Sequence, residues 1–255
     1  MSLAGAPMLA GRGLNLHAGR RELVRGLDLQ VNAGERWVVL GPNGAGKSTL
    51  LATLAGVRSA SRGQIVLAGR ELEDWTVEQM AEQRALVTDR WHDPFSASVL
   101  DTVLTARYRL GAADAAGERV ARAWLTEFDC ASLVEHDVTS LSRGERQRVA
   151  LATALAQDTP LVLLDEPIAH QDPRHQVLVL DRLARAQQRT LIASLHDMNA
   201  AVRFATHALL LTGRGDWMAG RAAEMLTAPR LSALFDTDVI TLPRQGGAPA
   251  FSIGG

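Results

Sequence analysis

The stretch that decides the fold is Gly41-Pro42-Asn43-Gly44-Ala45-Gly46-Lys47-Ser48-Thr49. An apolar run at residues 37–40 precedes it, and leucines follow at 50, 51 and 54. This order predicts a strand, a glycine-rich loop and a helix, with the spacing of the phosphate-binding loop whose backbone N–H groups wrap a polyphosphate. Lys47 would reach the β- and γ-phosphates, and Ser48 would bind Mg²⁺. The stretch therefore predicts a nucleotide site.

The composition is typical of one large α/β domain. The chain has 255 residues, of which 47% are hydrophobic, and a net charge of −1. This length supports a substantial core, and the balanced charge disfavours nucleic acid and anionic membrane surfaces as partners. A single cysteine, Cys130, excludes an internal disulfide. Because no apolar run reaches the roughly 18 residues of a membrane span, we expect any membrane role to go through a partner.

The spacing of apolar residues divides the chain into three parts. Alternation at 14–16 and 27–31 and apolar runs at 64–68 and 84–88 predict strands, and the early ones suggest an antiparallel sheet. From about 91 to 140 the spacing becomes helical, which indicates an inserted subdomain. After residue 142 helices and strands alternate, as in a parallel sheet.

We therefore predict a single α/β domain. It has a P-loop core with a mostly parallel sheet, an N-terminal antiparallel β subdomain and an inserted α-helical subdomain. Residues 243–255, rich in glycine and proline, are expected to form a poorly ordered tail.

Two carboxylates, Asp165 and Glu166, follow the apolar run at 161–164. An open α/β sheet presents its ligand groups at such strand ends. Asp165 is suited to hold Mg²⁺, directly or through water. Glu166 lies one residue further, where it could polarise a water molecule for attack on a γ-phosphate.

A second motif precedes these carboxylates: Leu141-Ser142-Arg143-Gly144-Glu145-Arg146-Gln147-Arg148-Val149. It resembles the signature of ABC ATPases, usually Leu-Ser-Gly-Gly-Gln. Gly144 keeps the second glycine, whereas Arg143 and Glu145 replace the first glycine and the glutamine. The phosphate loop, this signature, the Asp-Glu pair and His196 follow the order of that family, and the resemblance covers about residues 14–242.

The resemblance implies a head-to-tail homodimer with two ATP molecules, each held between the P-loop of one subunit and the signature of the other. Ser142 and Gly144 begin a helix and could offer donors to a γ-phosphate, and Ser142 with Glu145 also fits a capping box. By the same resemblance, His196 would contact the γ-phosphate and hold the attacking water, and Asp172 takes the aspartate position of the D-loop. The catalytic residues implied are Lys47, Glu166 and His196.

Two positions depart from the family pattern. The Q-loop glutamine, which touches Mg²⁺ and faces the transmembrane partner, is best placed at Asp89; aspartate keeps an oxygen ligand for Mg²⁺. The aromatic residue that stacks on adenine should fall near Ala18, where His17 is the candidate, although a merely solvated His17 fits equally well. With this placement, residues 90–92 (Arg-Trp-His) would line the groove that receives the permease.

Two classes of function remain open, a membrane importer and a soluble ABC ATPase acting on DNA or the ribosome. The chain has neither the long coiled coils nor the paired cassettes usual in the soluble class. The stretch 196–205 resembles the His-Asp-Leu-Asn and Arg-Tyr-Ala stretches of the ATPases of iron-siderophore, haem and cobalamin importers. We therefore expect an ATPase subunit at the cytoplasmic face of the membrane, with an integral membrane permease and, indirectly, a substrate-binding protein as partners. An importer of metal ions or amino acids is the alternative.

Overall fold

The structure, a computed structural model, describes residues 6–89, 96–108, 115–186, 188–242 and 249–254. Its strands are β1 (Leu9–Ala18), β2 (Arg21–Val31), β3 (Arg36–Leu40), β4 (Arg62–Leu67), β5 (Arg70–Glu71), β6 (Arg84–Val87), β7 (Leu161–Asp165), β8 (Thr190–Ser194), β9 (His207–Leu211), β10 (Trp217–Arg221), β11 (Val239–Leu242) and β12 (Ala250–Ile253). Its α-helices are α1 (Lys47–Leu54), α2 (Val77–Gln83), α3 (Val99–Thr105), α4 (Ala115–Glu127), α5 (Arg143–Ala156), α6 (Pro173–Arg185), α7 (Met198–Phe204), α8 (Ala222–Met225) and α9 (Ala228–Phe235). The predicted groove residues Arg90, Trp91 and His92 lie outside the described residues.

The first sheet is antiparallel and four-stranded, in the order β2-β1-β4-β5. In β2 the side chains of Leu27, Leu29 and Val31 are buried, and those between them are exposed. This alternation places one face of the strand on the core, as a period of two requires. The predicted N-terminal antiparallel subdomain is confirmed.

The second sheet is the core of the fold and has six strands in the order β10-β9-β3-β8-β7-β6. Neighbouring strands from β9 to β6 are parallel, and only the edge strand β10 runs antiparallel to its neighbour. The mostly parallel sheet is thus confirmed. Because parallel strands end at one edge of a sheet, this topology brings the phosphate loop after β3 together with the ends of β7 and β8.

Both faces of this sheet are buried. In β3, Trp37 and Val39 face the cluster shared with α1 and the antiparallel sheet, whereas Val38 and Leu40 face the larger cluster shared with α5 and α6. Near-continuous apolar runs are typical of strands covered on both sides. The strand ends that carry the polar residues therefore rest on a closely packed base.

The predicted helical insertion contains α3 and α4. Leu125 and Phe128 are fully buried and belong to the larger cluster, so α4 packs into the same core as α5. This packing holds α4 against α5, the helix whose first residues carry the signature motif. None of the helices in the described ranges has the length and apolar character needed to cross a bilayer.

Several features differ from the sequence-based expectations. Helices α2 and α7 and strands β5, β10 and β11 were not predicted. Strand β10 gives no signal because all but one of its residues are half-buried without alternation. The tail over 243–255 was expected to be poorly ordered, yet Ala250–Ile253 forms strand β12, paired with β11. The reason is the burial of Phe251, which is only 5% exposed and joins the larger cluster.

Candidate functional site

The phosphate loop leaves β3 and ends where α1 begins. Gly44 and Gly46 have φ angles of 74° and 104°, a conformation that glycine adopts without steric cost. A Cβ on Gly41 would lie 2.3 Å from the carbonyl oxygen of Leu211. Since no described side chain caps α1 at Gly46, the first N–H groups of this helix are available to an anion.

The Lys47 side chain lies inside the loop. Its ammonium donates hydrogen bonds to the carbonyl oxygens of Gly41 (2.8 Å) and Pro42 (3.2 Å), and the residue is 5% exposed. Burial lowers the pKa of this ammonium, and the carboxylates of Glu166 and Asp165 partly oppose that effect. A buried ammonium bound to neutral carbonyls fits an incoming phosphate, which would give it a charged partner.

The ends of β7 and β8 are joined by the hydroxyl of Ser194. This hydroxyl donates to Asp165 Oδ1 (2.6 Å) and accepts from the N–H of Glu166 (2.9 Å), and Ser194 is fully buried. Asp165 and Ser194 are register partners in the parallel pair. The contact fixes the Asp165 carboxylate and the backbone that carries Glu166.

His196 and Glu166 meet beside the phosphate loop. The Nε2 atom of His196 contacts Glu166 Oε1, and Glu166 has a positive φ of 51°. Both side chains line a cavity of about 320 Å³ together with residues 43–49 and Ala18, Arg21 and Leu23. The structure therefore brings Lys47, Ser48, Glu166 and His196 to one cavity.

The signature motif begins α5 at a different place. Ser142 is the N-cap: its hydroxyl accepts from the N–H of Glu145 (3.3 Å), and its own N–H donates to the Glu145 carboxylate (2.9 Å). The predicted capping box is present. Neither Ser142 nor Gly144 is among the described residues that line the P-loop cavity.

The D-loop packs against the signature. Gln171 donates to the carbonyl oxygen of Gly144 (2.8 Å) and accepts from Arg148 (3.0 Å). A Cβ on Gly144 would lie 2.9 Å from the carbonyl oxygen of His170, so glycine lets the two backbones approach. Asp172 is the N-cap of α6 and accepts from the N–H of His175 (2.8 Å).

Neither Asp89 nor His17, the two departures from the family pattern, is among the described residues that line the cavity. Asp89 follows β6, and one carboxylate oxygen is 3.9 Å from Nε2 of His170. His17 ends β1, where its Nδ1 is 2.8 Å from the hydroxyl of Ser61. Magnesium binding by Asp89 and adenine stacking by His17 stay predictions.

Ser194 and Gln171 were not singled out from the sequence. In the sequence, Ser194 is only a small polar residue at the end of an apolar run. Its role follows from its register with Asp165 in the neighbouring strand. Gln171 gave no signal of its own, because its contacts depend on how the D-loop packs on α5.

Backbone donors at the start of α1 and a buried lysine within the loop meet the needs of a polyphosphate. The fold and site thus define a P-loop nucleotide-binding protein. A family model described as ABC transporter matches residues 24–169. The chain belongs to the ABC transporter family.

The similarity to individual relatives extends over nearly the whole length of the chain. The chain is 38% identical to the hemin import ATP-binding protein HmuV of Streptomyces coelicolor, over 95% of this chain and 89% of the relative. It is 32% identical to the iron(3+)-hydroxamate import ATP-binding protein FhuC of Bacillus subtilis, over 91% and 89%. A solved inward-facing structure assigned to the metal-chelate type of ABC transporter has a TM-score of 0.82 at 28% identity, covering 98% of both chains.

Replacing Ser194→Ala should reduce ATP hydrolysis more than ATP binding, because the Asp165 carboxylate and the Glu166 backbone lose a shared partner. We also expect the free energy of unfolding to fall by about 1–3 kcal/mol, the usual cost of buried groups left unpaired. Nucleotide titration, steady-state kinetics and urea unfolding measure these effects.

Ser194→Thr, which keeps the hydroxyl, should recover most of the activity, and exposed Ser59→Ala is the control. Parental stability and activity in Ser194→Ala would contradict the role of this hydroxyl.

The capping box predicts a dependence of stability on pH. The hydroxyl and then the N–H of Ser142 lower the pKa of Glu145 below its ordinary value of 4.5. On acidification the unfolded chain therefore takes up this proton first, so the stabilisation is complete above pH 4.5 and is lost as the pH falls through the folded-state pKa.

Glu145→Gln keeps the capping geometry but removes the titration. Acidification from pH 6 to 3 should lower the free energy of unfolding less in the variant than in the parent. We expect a difference of about 0.5 kcal/mol by urea unfolding, because this group is largely solvated. Glu224→Gln, at the start of α8, is the matched control. Identical acid profiles for parent and Glu145→Gln would contradict the prediction.

Proposed function

We propose that this chain is the ATP-hydrolysing subunit of an importer that carries a metal chelate, of the hemin or ferric siderophore class, through a partner permease. The observation that carries the proposal is the likeness over nearly the full length to ATP-binding proteins of hemin and iron(3+)-hydroxamate import. The stretch from His196 to Asn199 supports the same class.

The residues in the cavity suit ATP. The N–H groups of the loop and of the start of α1 would surround its phosphates, and Lys47 would exchange its carbonyl partners for phosphate oxygens. Ser48 and Asp165 would hold Mg²⁺, with Asp89 as a further oxygen ligand. When bound, this ion would neutralise phosphate charge and orient the γ-phosphate.

Glu166 is the proposed general base. Its carboxylate lines the cavity and contacts His196, and Ser194 holds its backbone in place. In the proposed step Glu166 accepts a proton from the attacking water while His196 holds that water in line with the γ-phosphate. The attack breaks the bond to the leaving oxygen of ADP and releases phosphate.

The P-loop cavity of one chain forms only part of the proposed ATP site. Ser142 and Gly144 are not among the described residues that line the P-loop cavity, and they lie at the start of helix α5. In a head-to-tail dimer the N–H of Gly144, and the Ser142 hydroxyl once it exchanges its bond to Glu145, would meet the γ-phosphate bound by the other subunit. The packing of Gln171 on Gly144 would present the D-loop and the signature to that subunit together.

The proposal predicts that Glu166→Gln binds ATP but hydrolyses it at least a hundredfold more slowly, because the amide cannot accept the proton of the attacking water. In membrane vesicles holding the complex with its permease, this variant should also lose ATP-driven uptake of hemin or a ferric siderophore. Exposed Glu73→Gln is the matched control and should behave as the parent.

Two results would oppose different parts of the proposal. Hydrolysis by Glu166→Gln within about threefold of the parent would exclude Glu166 as the base. A parent complex that hydrolyses ATP but takes up neither chelate would exclude the proposed substrate class.

A further inference from the structure

The side chain of Asn199 binds the backbone of a strand near the end of the chain. The N–H of Phe251 donates to Asn199 Oδ1 (2.7 Å), and Asn199 Nδ2 donates to the carbonyl oxygen of Phe251 (3.0 Å). One amide group thus satisfies both backbone groups of one residue, as a neighbouring strand would. Strand β12 therefore lies between β11 on one side and helix α7 on the other.

The contact is supported by packing. The side chain of Phe251 is almost fully buried in the larger core cluster, to which Phe204 at the end of α7 also belongs. Asn199 itself is exposed, but its two hydrogen bonds to Phe251 are partly buried. Partial exclusion of water strengthens such hydrogen bonds, so the C-terminal hairpin, β11 with β12, is held on α7 rather than merely lying near it.

Besides its apolar packing, helix α7 has other polar contacts with distant described segments, and these lie at its far end. The carbonyl oxygen of Phe204 accepts from Arg36 (2.8 Å), and Arg203 pairs with Asp181 (2.9 Å). In the first turn, Asp197 accepts from the N–H of Ala200 (2.7 Å), a bond within the helix terminus itself. Among the described residues, the hydrogen bonds that join this first turn to a distant segment are those of Asn199 to Phe251.

We propose that Asn199 is a positioning residue: by tying the first turn of α7 to the C-terminal hairpin, it holds His196 beside Glu166. His196 comes three residues before Asn199, and its ring contacts the Glu166 carboxylate. A loosened first turn frees His196 from that contact, while the phosphate loop stays intact. The inference rests on the proposed function, since it concerns the rate of ATP hydrolysis.

Steady-state kinetics of the full-length chain test this role. In Asn199→Ala we expect kcat to fall about tenfold and the KM for ATP to stay within about twofold, because the misplaced group acts in the transition state and not in binding. Asn199→Asp, which keeps the acceptor for the Phe251 N–H but loses the donor, should lie between. Asn32→Ala, which removes an amide bonded to Glu35 at the start of β3, is the control. An unchanged kcat, or a raised KM at parental kcat, would overturn the inference.

A double-mutant comparison tests the path through the hairpin. In a full-length chain carrying Phe251→Pro, which removes the N–H that donates to Asn199, Asn199→Ala should cause less further loss of kcat than it does in the parent, since part of the tether is already gone. A further tenfold loss in this background would show that Asn199 acts by another route and would overturn the inference.

Hydrogen exchange separates this inference from the proposed function. In the full-length protein without nucleotide, Asn199→Ala should speed exchange of the Phe251 amide and of the first-turn amides of α7, but not of β7. This result needs no ATPase activity, so a parent chain that hydrolyses no ATP would refute the proposed function alone. Unchanged exchange at Phe251 would refute the tether.

Discussion

The hydroxyl of Ser194 joins the ends of β7 and β8, and the geometry of the candidate site depends on that bond. Parallel neighbours end at the same sheet edge, but the edge alone does not set the direction of a side chain. Ser194 orients the Asp165 carboxylate and holds the N–H of Glu166. Because strand β3 lies beside β8, the phosphate loop leaves the sheet next to these groups. The sheet thus places the phosphate donors and the Glu166 carboxylate at one cavity, with Asp165 directly before Glu166 in the chain.

Charged and polar groups of the site contact one another, and a bound polyphosphate would change these contacts. The Lys47 ammonium is bound to carbonyl oxygens in a buried position. His196 contacts Glu166 across the cavity. Helix α5, whose start does not line this cavity, begins with a satisfied capping box, so the signature motif has a defined shape before any partner binds. One chain thus carries two ordered surfaces, the P-loop cavity and the start of α5. The proposed head-to-tail dimer would bring the start of α5 of one chain to the P-loop cavity of the other.

Local signals and long-range contacts explain how much the sequence could predict. The phosphate loop was predictable because its glycines, lysine and serine are adjacent in the chain, and β7 because its apolar run ends in two carboxylates. The function of Ser194 was not, since it depends on register with a strand 29 residues away. Strand β12 was likewise not predictable, because it rests on the burial of Phe251 and on hydrogen bonds to Asn199, 52 residues away, whereas glycine and proline near the chain end indicated a poorly ordered tail.

The central claim is that each ATP site combines the P-loop of one copy with the signature of another. It can be tested with two covalently linked copies carrying Lys47→Ala and Ser142→Asp, placed either in different copies or both in the same copy. ATP trapped per linked dimer is the measurement. If the sites are shared head to tail, the two substitutions leave one intact site when they lie in different copies and no intact site when they lie in the same copy. If each chain forms its own site, the results reverse, and that outcome would contradict the account.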